Sequence, residues 1–162
     1  MVKTACVFLD RDGVINFERG EHTYHLRDFI INIGLFEGLK ILKERGFIFI
    51  IITNQSGIAT QKYTVAQMNA CHQKLIKAAS QHQIQFQEIY YCPHHPSVSA
   101  CLCRKPNSLL LEKAIAKFNI DVDASWFIGD KQRDMDAAAR VGVRGILIES
   151  NQNINEILHQ IL

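Results

Sequence analysis

Asp10 and Asp12 stand one residue apart at the end of the apolar run Val7-Phe8-Leu9, and Gly13 then frees the backbone to turn. Two carboxylates at a strand end can share a metal ion or divide the roles of nucleophile and acid/base, although Asp-x-Asp-Gly is also ordinary turn chemistry. Three further places repeat the pattern of an apolar segment running into small or charged residues. They are Thr53-Asn54 after Phe47–Ile52, Lys105 beyond an apolar segment at 86–91, and Gly129-Asp130 after Trp126-Phe127-Ile128, with Asp134 four residues on.

Brought to one edge, these groups suit phosphoryl transfer. Asp10 would attack phosphorus, while Asp12 would protonate the leaving alkoxide and later deprotonate the water that cleaves the aspartyl-phosphate. A carboxylate approaching a phosphate needs positive charge beside it. Asp10 with Asp130 can hold Mg²⁺, an oxygen-seeking ion, and Lys105 supplies a second cation. The Thr53 hydroxyl and the backbone N–H groups of residues 54 to 56 can receive the other phosphate oxygens. Asp134, one helical turn from Asp130, is expected on the same face, where it could orient Lys105 or a metal-bound water.

A second constellation is Cys92, His94, Cys101 and Cys103. Three thiols and an imidazole at Cys-x-His and Cys-x-Cys spacing can close a tetrahedral structural Zn²⁺ site, with a six-residue loop between His94 and Cys101. His95 is the rival ligand, expected to be left free. Cys6 and Cys71 fall on apolar faces and read as small core residues.

The elements that must position these groups alternate. Strands are predicted over 5–10, 47–52, 86–91, 126–128 and 145–148. Helices are predicted over 36–45, from Thr64 to about 82, over 109–118, about 135–141 and 154–162. This order predicts an α/β fold with a doubly wound, mostly parallel, Rossmann-like sheet, whose carboxyl strand ends converge. Residues 14–35 are irregular and read as a flap over the site.

The chain of 162 residues suits a single domain, 1–162, with the zinc loop at about 92–103. It is 48% hydrophobic and 21% charged, with a net charge of +2, which is an ordinary globular balance. The 18 Lys and Arg are scattered, so neither a nucleic-acid groove nor a membrane surface is expected as partner. The N-terminal residues run directly into strand-like sequence without the features of a secretory signal, and five cysteines with three close together fit a reducing compartment; a cytoplasmic monomer is expected.

The motifs Asp-Arg-Asp-Gly-Val-Ile-Asn (10–16), Thr-Asn-Gln-Ser-Gly-Ile-Ala (53–59), Tyr-Tyr-Cys-Pro-His-His-Pro (90–96), Cys-x-Cys-Arg-Lys-Pro (101–106) and Gly-Asp-Lys-x-x-Asp-Met (129–135) carry a resemblance. Together they closely resemble the D-glycero-D-manno-heptose 1,7-bisphosphate phosphatases of the haloacid dehalogenase (HAD) superfamily, a pattern that histidinol-phosphate phosphatases share. The resemblance implies a HAD-like fold with a small zinc loop and no large cap domain. It implies hydrolysis of a sugar bisphosphate, most simply at C7 of the heptose, on the route to a nucleotide-activated sugar for surface polysaccharide such as lipopolysaccharide. Mg²⁺ would sit on Asp10, Asp130 and the backbone carbonyl of Asp12. Substrate contacts would come from Glu18, Arg19, Gly20 and Glu21, from Thr53, Asn54, Gln55 and Ser56, and from Arg104, Lys105 and Lys131. Gly20-Glu21-His22, Thr60-Gln61-Lys62 and the residues after Lys105-Pro106 depart from the family pattern near where the sugar would rest. The reading from another class is a non-catalytic, zinc-stabilised binding module.

Overall fold

In the computed structural model, which describes residues 2–162, the strands are β1 (Cys6–Leu9), β2 (Ile48–Asn54), β3 (Phe86–Cys92), β4 (Trp126–Gly129) and β5 (Arg144–Leu147). The helices are α1 (Leu35–Glu44), α2 (Val65–Gln81), α3 (Leu109–Phe118) and α4 (Gln132–Arg140), and a 3-10 helix spans Ile154–Gln160. The strands form one parallel sheet in the order β3-β2-β1-β4-β5. β1 is central, with Val7 opposite both Phe49 and Trp126. The chain order reverses across β1, between β2 on one side and β4 on the other, and this switch point opens a crevice at the carboxyl ends of the strands.

Strands buried on both faces account for the continuous apolar runs in β1 and β2. Val7, Leu9, Phe49 and Ile51 pack with α1, α2 and the 3-10 helix, whereas Cys6, Phe8, Ile50 and Ile52 pack with α3 and α4 on the opposite face. Each large side chain so buried contributes about 1.5–3 kcal/mol. Cys6 and Cys71 lie in these two cores, as their apolar surroundings predict.

Three boundaries that bear on the site or the core differ from expectation. Thr53 and Asn54 are the last residues of β2 rather than loop, because β3 continues to pair with them through Tyr91 and Cys92. The fourth helix begins at Gln132, not near 135, because the Asp134 carboxylate accepts from the Lys131 N–H at 3.1 Å and closes its first turn. Asp130 therefore lies before the helix, and no shared helical face explains its proximity to Asp134. The closing segment is 3-10 helix and stops at Gln160; it is held by Ile154, Ile157 and Leu158, all buried.

The flap is tied down at its base. Phe17 N–H donates to the Ile30 carbonyl at 2.8 Å, Asn32 N–H donates to Ile15 at 2.9 Å, and Phe29 is fully buried. α2 starts with Thr64 Oγ1 accepting from the Gln67 N–H while the Gln67 side chain accepts from the Thr64 N–H, a reciprocal cap. Among the described residues no helix is long and apolar enough to cross a membrane.

Candidate active site

Asp10 follows β1 directly, and its N–H donates to the Ile128 carbonyl of β4 at 3.1 Å, which fixes the start of the loop. The loop then curls around the Arg11 carbonyl, which accepts from the N–H groups of Ile15 at 2.8 Å and Asn16 at 3.1 Å. Gly13 has a φ of +89°, and a Cβ there would collide with the Asp130 carboxylate. Only glycine meets both conditions.

The buried Lys105 ammonium joins three elements. It lies 2.9 Å from Asp10 Oδ1, 2.6 Å from Asp134 Oδ1 and 2.7 Å from the carbonyl of Ile52. Burial alone would lower its pKa, but Asp10 and Asp134 outweigh that and raise it, so it stays charged. Burial raises the Asp10 carboxyl above its ordinary range; Lys105 pulls it back and Asp134 pushes it further up. Asn54 holds the backbone of Lys105 from both sides, accepting from its N–H at 3.0 Å and donating to its carbonyl at 3.2 Å.

Asp12 has a separate set of partners. Its Oδ1 accepts from Arg11 Nη2 at 2.9 Å and Asn16 Nδ2 at 3.0 Å, and its Oδ2 accepts from Gln55 Nε2 at 3.0 Å. Burial would raise its pKa, yet the Arg11 guanidinium and these hydrogen bonds hold it below the usual carboxylate range. Its carboxylate is thus turned away from the Asp10, Asp130 and Asp134 cluster, whose oxygens lie within 4.8 Å of one another.

Within that cluster Asp130 Oδ1 is buried and finds no hydrogen-bond partner among the described residues. Asp134 has one oxygen on Lys105 and the other on the Lys131 N–H. An all-oxygen set with one uncommitted buried carboxylate oxygen fits a hard divalent cation such as Mg²⁺. The second cluster, Cys92, His94, Cys101 and Cys103, also brings its donor atoms within 4.8 Å of one another. His94 Nδ1 lies 3.2 Å from Cys103 Sγ, and Cys92 Sγ lies 3.0 Å from Cys103 Sγ and 3.6 Å from Cys101 Sγ. None of the three is in a disulfide, and three sulfurs with one imidazole nitrogen suit a tetrahedral metal. His95 faces away and contacts Ser97 Oγ at 2.6 Å.

A cavity of about 490 Å³ opens above Asp10, Asp12 and Asp130. Glu18, Gly20 and Glu21 line it from the flap, Asn54, Gln55 and Ser56 from the end of β2, and Arg104 and Lys131 from the rim. Three expected substrate contacts are not on its wall. Arg19 is drawn away into an ion pair with Asp28 at 3.1 Å, and Thr53 and Lys105 are sealed beneath the floor, 0% and 2% exposed. The Thr53 hydroxyl accepts instead from Gln55 Nε2 at 2.9 Å.

Several contributors escape a reading by motif. Arg11, between two carboxylates in the chain, is 1% exposed and clamps the flap through the Thr23 carbonyl at 2.9 Å. Tyr63, His22, Thr23 and Arg133 also line the cavity. Ser150 donates to Asp130 Oδ2, and Asn151 pins the flap by accepting from the Glu18 N–H at 2.6 Å and donating to the Glu18 carbonyl at 3.1 Å. Their position after the fifth strand is the same strand-end signal that marks the other four sites.

A parallel sheet with this carboxylate and lysine cluster at its switch point defines a hydrolase of the HAD-like class, and a HAD-hydrolase-like family model matches residues 102–160. The chain is 37% identical over 156 residues to the D-glycero-beta-D-manno-heptose-1,7-bisphosphate 7-phosphatase of Escherichia coli (strain K12), covering 91% of this chain and 81% of that protein. It is also 37% identical over 155 residues to the D-glycero-alpha-D-manno-heptose-1,7-bisphosphate 7-phosphatase of Campylobacter jejuni, covering 96% and 87%. The crystal structure of the D,D-heptose 1,7-bisphosphate phosphatase from B. bronchiseptica, complexed with magnesium and phosphate, superposes with a TM-score of 0.85 at 29% identity, covering 97% of this chain and 87% of that one. The chain belongs to the family of D-glycero-D-manno-heptose 1,7-bisphosphate 7-phosphatases, and it is a phosphatase rather than a non-catalytic binding module.

Proposed function

We propose that the protein removes the C7 phosphate of D-glycero-D-manno-heptose 1,7-bisphosphate through an aspartyl-phosphate on Asp10. The observation that carries this reading is the division of labour between two neighbouring carboxylates. Asp10 is bonded to Lys105 within the all-oxygen cluster, while Asp12 is held off it by Arg11, Asn16 and Gln55.

Asp10 Oδ1 is fixed by the Arg11 N–H at 2.8 Å and by Lys105, which leaves Oδ2 to attack phosphorus in line. Asp10, Asp130 and the Asp12 backbone carbonyl would hold Mg²⁺, which when bound lowers the repulsion between carboxylate and phosphate. Asp134 would keep Lys105 in place from behind. Asp12 faces the leaving group. A phosphate seated against it shifts its carboxyl upward by like-charge repulsion, so Asp12 takes its proton as substrate binds, gives it to the leaving C7 oxygen and recovers one from the attacking water. The transferred oxygens would rest on the backbone N–H groups of residues 54–56, with Thr53 beneath.

Arg104, Lys131 and the flap residues Glu18, Gly20 and Glu21 would receive the sugar and its C1 phosphate. Arg104 Nη1 contacts the His94 carbonyl at 3.5 Å, so the Cys/His loop, closed by Zn²⁺, would set the height of Arg104 over the cavity.

Phosphate release from both anomers of the heptose bisphosphate and from histidinol phosphate, with Mg²⁺ present, tests the assignment. The expected result is turnover of the bisphosphate with the C1 phosphate retained; faster turnover of histidinol phosphate would overturn the substrate. Asp10→Asn should lose about 10³-fold or more of the activity while remaining folded. Near-normal phosphate release would remove Asp10 from its role.

A further inference from the structure

We propose that Tyr63 is a positioning residue for the acid/base, its hydroxyl locking the Gln55 carboxamide so that Gln55 holds Asp12 Oδ2 toward the leaving oxygen. Tyr63 Oη donates to Gln55 Oε1 at 2.6 Å, and Gln55 Nε2 donates to Asp12 Oδ2 at 3.0 Å and to Thr53 Oγ1 at 2.9 Å. The two ends of a carboxamide have nearly the same shape but opposite hydrogen-bonding character. A phenol that donates to the oxygen end forces the NH₂ end toward Asp12. Burial pushes the Tyr63 phenol up to about 12, so the hydroxyl keeps the proton it donates.

The two oxygens of Asp12 differ in how firmly they are held. Oδ1 has two donors, Arg11 and Asn16, whereas Oδ2 has Gln55. The orientation of Oδ2 thus depends on a single amide, and the amide depends on Tyr63.

Tyr63 is itself well fixed. It is 5% exposed, and its ring lies against Gly57 so closely that any Cβ there would collide with it. Two flap residues cover it. The Tyr24 ring stacks on it at 5.2 Å between centroids and 10° between planes, and His22 meets it edge-on at 5.5 Å. The aromatic contacts of the flap therefore end on the hydroxyl that orders the acid, and seating of the flap and alignment of Asp12 become one event.

This inference rests on the acid role proposed above for Asp12. The test compares kcat/KM for the heptose bisphosphate, whose alkoxide must be protonated to leave, with kcat/KM for p-nitrophenyl phosphate, which leaves as a stable anion. Tyr63→Phe keeps the ring and removes the hydroxyl. It should lower kcat/KM about tenfold for the bisphosphate and less than about twofold for the aryl ester. In a Gln55→Leu background the same change should add no further difference between the two substrates. Equal losses on both substrates, no loss on either, or a full additional loss in the Gln55→Leu background would each overturn the role of Tyr63. Asp12→Asn is measured alongside. If it lacks the same leaving-group dependence, the acid role of Asp12 falls and the proposal with it; if it shows that dependence and Tyr63→Phe does not, the proposal alone falls.

Discussion

Lys105 Nζ and Asp10 Oδ1, 95 residues apart in the chain, lie 2.9 Å apart at the floor of the cavity. The same ammonium is shared with Asp134, so one buried cation is the common counter-charge of two buried carboxylates. Lys105→Met leaves both acids without a counter-charge and should cost about 3–5 kcal/mol in unfolding free energy by urea titration, together with loss of turnover. Lys105→Arg should restore neither, because a planar guanidinium cannot place three donors on Asp10, Asp134 and the Ile52 carbonyl from the same buried space.

Gly13 makes the carboxylate cluster possible by leaving room for Asp130. Gly13→Ala should be destabilised by about 1–2 kcal/mol from its left-handed backbone alone. Because the added methyl would meet the Asp130 carboxylate, its Mg²⁺ activation constant should also rise, read from phosphate release against metal concentration. Unchanged Mg²⁺ activation would remove Asp130 from the cation site.

The Cys/His loop holds Arg104 through the His94 carbonyl. Elemental analysis should find a single zinc ion per chain, lost in Cys103→Ser. The zinc-free protein should show a raised KM for the bisphosphate with a smaller change in kcat, since the loop carries the cavity-lining Arg104 and none of the proposed reacting groups. A chain free of zinc with all its thiols reactive while folded would contradict this.

His72 introduces an acid sensitivity. It is buried beside Arg11, with His72 Nε2 3.4 Å from Arg11 Nη1, and burial followed by the Arg11 charge lowers its pKa to about 4. The unfolded chain binds this proton near pH 6.5 and the folded chain does not until about 4, so stability contributed above pH 6.5 is lost as pH falls through that window. The loss amounts to roughly 3 kcal/mol at its fullest. His72→Gln should flatten the stability profile between pH 6.5 and 4, measured by thermal unfolding at a series of pH values. A profile as steep as that of the parent would assign the sensitivity to other groups.

Strand alternation, the carboxylates Asp10, Asp12 and Asp130, and the Cys92, His94, Cys101 and Cys103 set could be read from the chain because each is local. An apolar run next to a polar residue, or two ligands a fixed number of residues apart, shows in a short window. The parallel sheet then brings separate strand ends to one edge, so Asp10, Asn54, Lys105 and Asp130 converge as the element order predicts. What local pattern could not show was which partner each group prefers. Arg11 carries no local signal of burial, yet the curled loop packs it against Asp12, Phe29 and Thr23. Arg19, expected among the substrate contacts, has Asp28 as its partner at 3.1 Å, a pairing that no short window shows.

The chain by itself determined the kinds of chemical group available and the strand ends that carry them, because burial pattern and residue type are local properties. Tertiary structure alone decided which of its two open roles Asp134 takes, that Arg11, Asn16 and Gln55 are the groups that hold the Asp12 carboxylate, and that Tyr63 and Asn151 brace the site. Those outcomes depend on distances of a few ångströms between residues far apart in sequence, where hydrogen bonding and charge act only over short range.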